Sequence, residues 1–520
     1  MNAITHLALA DFRERVRRFS FLVIVALAVF LGYQVISGFF ELRLGSYRGL
    51  LNAAWIGTLM ALTLSFFLSI IGFYLVRGNI QQDRQTGVGQ ILAATPMSKL
   101  AYVTGKFVSN TAVLLVVVAV LALAALVMLL IHGEDRTLDL AQLLLPFLVF
   151  TVPVALLVTA TAVFFEATPA LRQSGGNVIY FFVWLFTIPF VGGHLLAFDA
   201  IEQGMTVALQ AQGADYRGGI VLGATGAADM QTFLWTGFDW LPVAASRLIY
   251  VFLALLIAAL AALPFDRFDA AQKRPLRSIV KRFGKSFDRL KSVVRSAYSV
   301  TETKYALRTT PYALTPVTPA TNPLHLFLTL VTAELKLLLK GRAFLWYAGA
   351  AGLFLASLLS PLETVRGLLP YIWLWPLLLW SELGMRESRY RVDQLLFSAP
   401  APLWRQLPAT WTAAVLLAFI LGSGAFVRLL AEPTLLPGFV AGMLFIPSLA
   451  LLLGVVAGTE RPLQIILLIT WYLGPLNGLA PLDMTGVTET AVAQGISWFY
   501  IAASPLLFGL ALLARQRQLA

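Results

Sequence analysis

The sequence predicts an all-α polytopic membrane protein, with twelve transmembrane helices arranged as two pseudo-symmetric six-helix halves. Three observations carry this. Hydrophobic residues make up 59% of the chain and charged residues 12%, against about 45–50% and 25% in soluble domains. The apolar residues come in blocks of about 20, long enough to cross a hydrocarbon core of about 30 Å as helices that satisfy their own backbone hydrogen bonds. The third is a repeat. Gln90 to Pro96, QILAATP, and Gln394 to Pro400, QLLFSAP, stand 304 residues apart, and the Pro153/Glu166 and Pro447/Glu460 pairs, each separated by thirteen residues, stand 294 apart. The smaller offset fits a shorter connection in the second copy, where Glu432 to Pro437 replaces His132 to Gln142. Apolar positions match by chance, so the repeat rests on polar and proline landmarks keeping their topological places. Strands of about ten alternating residues are not seen, which excludes a barrel.

The expected spans run over 19–40, 50–76, 105–131, 143–165, 177–197 and 243–264, then 343–360, 367–383, 407–430, 437–458, 463–481 and 497–514. They divide the chain into a first half (1–265), a linker (266–323) and a second half (324–520). An even number of spans puts both termini on one side. With that side cytoplasmic, 31 Lys and Arg and 13 acids lie inside, against 7 Lys and Arg and 13 acids outside, as the positive-inside rule requires. The net charge of +12 therefore reads as orientation and lipid contact, with no nucleic-acid partner. Arg13 to Arg18 precede a run of full span length without a small-residue cleavage site, so no cleavable signal peptide is expected. There is no Cys, which removes disulfides, thiolate metal sites and cysteine catalysis. The expected location is a bacterial inner (plasma) membrane, multi-pass, with cytoplasmic termini.

Outside, residues 192–241 carry Asp199, Glu202, Asp215, Asp229 and Asp239 against one Arg217, around a Gly-rich middle, GGIVLGATGAA. Such a stretch reads as flexible or as short surface helices. It is either an acidic solvated lid or a cap facing a substrate or partner. Inside, Arg77 to Thr104 and Glu382 to Gln406 each carry charges of both signs and a Pro ahead of the next span. Loops of this length in both copies read as short helices that dock on something, or as membrane-surface linkers. Their polar residues are Gln81, Asp83, Arg84, Thr86 and Gln90 in the first copy, and Arg386, Glu387, Arg389, Arg391, Asp393 and Gln394 in the second. Asp83 and Glu387 match in register, which favours a shared docking surface with both acids accessible to solvent. A shorter corner repeats Glu166 and Glu460 with a nearby Pro, either a second contact or helix-start capping.

Asp83 to Phe107, DRQTGVGQILAATPMSKLAYVTGKF, resembles the loop of ABC-2 type (type V) exporter permeases, where an acidic TG-containing segment leads through a small-Thr-Pro corner to a Gly-Lys before the third span. Arg386 to Pro400 is similar but lacks the Thr-Gly pair and the Gly-Lys. The amphipathic helices expected at Thr5 to Phe19 and Thr332 to Phe344, and the outer loop between the fifth and sixth spans, extend the resemblance over nearly the whole chain. It implies an exporter permease with both six-span units fused in one chain, enclosing the pathway. It further implies a separate cytoplasmic ATPase, in two copies, docked on Asp83, Arg84, Thr86, Gln90, Thr95, Arg386, Glu387, Asp393 and Gln394, with Glu166 and Glu460 as a second contact. ATP and Mg would be bound by that partner and no cofactor, metal or catalytic residue by this chain. Gly284-Lys285-Ser286 has the end of a P-loop, but Ile279 stands where its first Gly belongs.

Two other functions compete with this one. A major-facilitator-like secondary carrier would place Gly78 and Asp83-Arg84 in its signature loop, but the spacing is off by one, no basic pair follows and the loop is too long. Few charges lie within the spans to couple ions. An integral-membrane enzyme has thinner support, because His6, His132, His194 and His325 are scattered and no H-E-x-x-H occurs.

For the pathway, Thr58, Ser65 and Ser69 share one face of the second span, and Asn177, Tyr180 and Thr187 lie in the fifth. In the resembled family these spans line the route between the halves, while interhelical hydrogen bonding fits each hydroxyl equally. Trp471 is the second-half candidate, and an apolar, aromatic route suits a lipid-like, amphipathic or peptide cargo. In the linker, Leu276, Val280, Phe283, Phe287, Leu290 and Val294 recur at helical spacing among Lys281, Lys285, Arg289 and Arg295. This predicts a basic amphipathic helix on the anionic lipids of the inner leaflet, with a disordered charged linker as the alternative.

Overall fold

A computed structural model describes residues 3–17, 19–37, 41–172, 175–214, 219–223, 231–268, 323–342, 344–389 and 402–519. The linker helix with Lys281, Lys285, Arg289 and Arg295, and the loop residues Asp393 and Gln394, lie outside them.

The first part runs α1 (Ala3–Val16), α2 (Phe19–Ile36), β1 (Glu41–Leu44), β2 (Tyr47–Gly49) and α3 (Ala53–Phe67), which passes through a π-turn into α4 (Phe73–Val76). Two short helices follow, α5 (Asn79–Gln85) and α6 (Val88–Ala94), then α7 (Lys99–His132). Next come α8 (Leu140–Pro146), which continues through a π-turn into α9 (Val152–Ala167), then α10 (Gly175–Leu195), α11 (Phe198–Ala211), β3 (Ile220–Gly223), β4 (Gln231–Phe233) and α12 (Trp240–Leu260). The second part runs α13 (Pro323–Leu339), α14 (Phe344–Leu359), α15 (Leu362–Leu374), α16 (Leu377–Trp380), α17 (Arg386–Arg389), α18 (Pro402–Leu429), α19 (Leu436–Ala457), α20 (Arg461–Trp471), α21 (Glu489–Ala493) and α22 (Ile496–Leu519).

The described residues are mostly helical, and eight helices are long and apolar enough to cross a membrane. The other four expected spans are not among these eight. Phe19–Ile36 has 18 residues and Phe344–Leu359 has 16. The eighth breaks between α15 and α16, where Pro376 cannot continue the hydrogen-bond ladder. In the eleventh, α20 has 11 residues before a π-turn containing Pro475.

Helix starts follow the sequence. Asn52 accepts from the Trp55 amide at 2.9 Å to begin α3, Ser98 accepts from Ala101 at 3.1 Å to begin α7, and Asp139 accepts from Gln142 at 3.0 Å to begin α8. Every residue of α3 from Ala53 to Ser65 is buried, so this helix forms the axis of the first part. At its start, the described residues of 192–241 form a helix and two strands. These strands join the β1–β2 hairpin in a sheet of order β3-β1-β2-β4, antiparallel except for β2 with β4. Amphipathic α11 buries Ile201, Met205 and Leu209. Trp235 packs edge-on to Trp55, its carbonyl accepting from Asn52 at 2.8 Å. Arg48 closes the cap with two bonds to Glu134, at 2.7 and 3.2 Å, and the first of these holds the Glu134 carboxyl below the usual range.

At the opposite end of α3, the α5–α6 pair rests on a separate apolar cluster. Ile80 of α5 is buried with Phe107 of α7, Val163 of α9 and Phe265, and the Tyr102 ring stacks on Phe265 at 5.0 Å.

Candidate functional site

The α5–α6 pair begins where α4 stops. Arg77 turns extended (ψ 151°) and Gly78 takes φ +106°, a conformation that disfavours any side chain. This reversal carries α5 back beneath the bundle, where buried ions hold it. The Lys106 ammonium, 1% exposed, lies 2.8 Å from both Asp83 of α5 and Asp11 of α1. Tyr102 donates to the same Asp83 oxygen at 2.6 Å, and Asn79 donates to Asp11. Glu166, at the end of α9, accepts from the Ile80 amide at 2.7 Å. One lysine thus ties α1, α5 and α7 together, and α9 caps the start of α5.

The expectation that Asp83 and Glu387 are solvent-accessible is corrected: each is only 9% exposed. An acid beside a buried cation is a structural ion pair, since burying either charge alone is too costly. Glu387 pairs with Arg515 of α22 at 3.4 Å, while its neighbours Arg386 and Arg389 pair with Glu334 of α13 at 3.5 Å and Glu460 at 3.1 Å. In each part, then, the leading helix supplies an acid to the group that holds the short helix, and Glu166 or Glu460 holds it from the other side.

The remaining residues of the first loop lie farther out. Arg84 pairs with Asp266 and lies 5.0 Å from the Phe268 ring, and Arg172 joins Asp266 at 3.0 Å. Burial pushes the Asp266 carboxyl up, but the hydrogen bonds and charges of Arg84 and Arg172 outweigh it and hold it below the usual range. Thr95 is half-buried, its carbonyl accepting from Arg267 at 2.6 Å. Thr86 and Gln90 are exposed. Beside them on α6, Val88 is 42% and Ile91 69% exposed, three residues apart on one face. The surface offered at this end is therefore polar with an apolar centre.

The pathway candidates fall into two groups. Thr58 and Ser65 face their own part. Thr58 is fully buried, and Ser65 meets the Thr151 hydroxyl at 3.0 Å. Ser69, Asn177, Tyr180 and Trp471 come together where the two parts meet. Tyr180 donates to the Ser69 carbonyl at 2.5 Å, and Trp184 donates to the Ser69 hydroxyl at 2.9 Å. Asn177 donates to Gln464 of α20 and accepts from Arg77. Trp471 donates to the Pro370 carbonyl at 3.0 Å and packs 6.1 Å from Phe181. Arg461 reaches back across the seam to the Arg77 carbonyl at 2.6 Å. Thr187 is bonded within its own helix.

Gly78 is a point of close approach in that seam. A Cβ there would lie 2.0 Å from the Arg461 guanidinium, besides adopting a disfavoured φ. Gly78→Ala is expected to displace Arg461 and destabilise the chain by about 1–3 kcal/mol, read as a lower unfolding temperature. An unchanged transition would show that the seam is loose.

Sequence reasoning missed Asp11, Asn79, Lys106, Arg77, Arg461 and Gln464 as a connected set. A signal existed for Lys106, a lone cation at the start of an apolar run, which demands a buried partner. Nothing in the sequence pairs it with Asp11, 95 residues earlier.

A multi-pass helical protein that clamps a surface helix pair by buried ions, and links that pair to a polar seam between its two parts, has the form of a transporter's membrane component. The chain belongs to the ABC-2 family: the model described as ABC-2 family transporter protein matches residues 5–269. That family is the membrane component of the transporter and not itself the ATPase, and membership implies association with an ABC ATPase. No curated protein matches the chain.

Proposed function

We propose that the chain is a permease subunit of an ATP-driven exporter, two six-span halves fused as twelve spans in a bacterial inner membrane, with both termini cytoplasmic. A separate ATPase, in two copies, docks on its cytoplasmic face and supplies the ATP and Mg sites. The observation that carries this reading is the α5–α6 pair, anchored on one side by Asp83 and Lys106 and open on the other through Thr86, Val88, Gln90 and Ile91. A rigid base with an exposed polar-rimmed apolar face suits a docking surface. Glu387, Arg386 and the neighbouring loop offer the second-half counterpart, with Glu166 and Glu460 supporting each short helix from behind.

The coupling follows from covalent continuity. α5 starts at the Arg77-Gly78 reversal, and the Arg77 carbonyl is the group Arg461 holds from the other half. A displacement of α6 by the ATPase would pull on α5 as one body with α1 and α7, and would load the seam of Asn177, Gln464 and Arg461. Opening that seam would part Tyr180 from Trp471 and expose the route between the halves. The family match does not favour a secondary carrier or an enzyme.

Purification from native membranes tests the reading. The chain is expected to carry an ATPase subunit, and transport by the pair to require ATP; a chain that purifies alone and transports without responding to ATP would refute it.

A further inference from the structure

We propose that residues 265–268, Phe-Asp-Arg-Phe, form a strap that seats α6 for the ATPase, with Arg267 and Phe268 as positioning residues. The inference rests on α6 being the docking surface and adds what holds that surface in place. The buried ions act on α5, where Lys106 takes Asp83 and Glu166 takes the Ile80 amide. α6 follows only after a turn at Gly87, φ +79°, so the anchor of α5 does not by itself fix α6.

Each residue of the strap grips a different part of this end. Phe265, 1% exposed, stacks on the Tyr102 ring at 5.0 Å. Asp266 pairs with Arg84 of α5 and, at 3.0 Å, with Arg172 beyond α9. The Arg267 guanidinium donates to the carbonyl of Thr95, the residue that ends α6, at 2.6 Å. The Phe268 ring lies edge-on to Tyr102 and to Phe265, 5.3 Å from each, and covers Gly89 so closely that a Cβ there would lie 2.5 Å from the ring. Gly89 is buried while Val88, Gln90 and Ile91 are exposed. The ring therefore backs the side of α6 turned away from Ile91.

The backbone of the strap is strained. Arg267 has φ +48° and Phe268 φ +63°, and among the described residues Ala197 is the one other non-glycine with a positive φ. Two adjacent side-chain-bearing residues in the left-handed region cost free energy and persist where surrounding contacts over-determine them. Both side chains of this pair land on α6, at Thr95 and at Gly89, so the seating of α6 offsets the strain. Glycine at position 89 fits the same account, because any side chain there would push the ring away.

Hydrogen exchange of the purified full chain without ATPase reads the seat, and titration of the ATPase reads its consequence. Gly89→Ala replaces glycine inside a helix and on propensity alone should firm α6. It is expected instead to speed exchange of the 90–95 amides by about fivefold and to weaken ATPase binding by about fivefold, with exchange in α5 and α7 and the unfolding temperature unchanged. Phe268→Ala should act in the same direction, and Gly89→Ala should cost nothing further in that background, since both changes unseat one contact. Arg267→Gln frees only the Thr95 carbonyl and should speed exchange at the end of α6, a second reading if the Phe268 variant does not fold. Gly367→Ala, whose methyl meets nothing within 4 Å, should change neither measurement. Native exchange rates in Gly89→Ala would overturn the proposal, and so would full additivity of Gly89→Ala and Phe268→Ala. A native chain that binds no ATPase while its variants show the exchange changes would refute the docking surface and leave the strap standing.

Discussion

Lys106→Met is expected to destabilise the chain by about 3–5 kcal/mol, because it leaves two carboxylates in a buried site with no cation between them. Lys106 is 1% exposed, and Asp11 and Asp83 each lie 2.8 Å from its ammonium. The carboxylates would have to take up protons, admit water or move apart, and any of these releases α1 or α5 from α7. The expected readouts are a sharply lower unfolding temperature in detergent and loss of ATPase from the purified complex. Adding Asp11→Asn and Asp83→Asn to Lys106→Met removes the bare charges and should recover most of the loss, since a buried polar group costs far less than a buried ion. A triple variant as unstable as the single one would show that Lys106 acts by shape alone. Asp83→Lys belongs to the same class: it sets a second cation against Lys106 and destabilises the fold before it can act on docking.

Ile91→Asp with Val88→Asp is expected to do the reverse, leaving the fold intact while abolishing coupling. Both side chains are exposed on α6, so the change should alter stability by no more than about 0.5 kcal/mol each. An apolar centre inside a polar rim is where interface energy concentrates. Burying carboxylates there should cost about 2 kcal/mol or more, roughly thirtyfold in ATPase affinity. Titration of the ATPase onto the reconstituted chain measures it. A double variant that binds ATPase and transports like the native chain would exclude α6 from the docking surface.

The sequence displayed the helical membrane class plainly, because span length is a property of single segments. The family likewise showed in the Asp83 to Phe107 segment, whose residues are contiguous. Broken spans were harder. The eighth and eleventh read as apolar runs, and their breaks at Pro376 and Pro475 depend on packing that hydropathy does not register. The sheet was illegible because its strands have three or four residues and β1–β3 and β2–β4 pair across more than 170 residues of chain, as Leu44 does with Ile220. The accessibility of Asp83 and Glu387 was misread for a related reason. Charged residues between spans look solvated until the partner is known, and Lys106 and Arg515 come from helices the loop itself does not reveal. The exposed residues of α6 stood in the same quoted segment, but an apolar residue in a loop reads as core unless the acids beside it are seen to take that place.

A single-cysteine cross-link decides whether α6 is the surface through which a separate ATPase drives this permease. The chain has no Cys, so Ile91→Cys creates one reactive position on the native background. In membranes containing the ATPase, a short thiol-to-amine cross-linker at this site is expected to give one adduct of chain and ATPase, with Leu241→Cys, an exposed apolar position at the start of α12 and the opposite end of the bundle, giving far less. Free accessibility of Cys at position 91 to a membrane-impermeant thiol reagent in the assembled complex, with no ATPase adduct, would contradict the account.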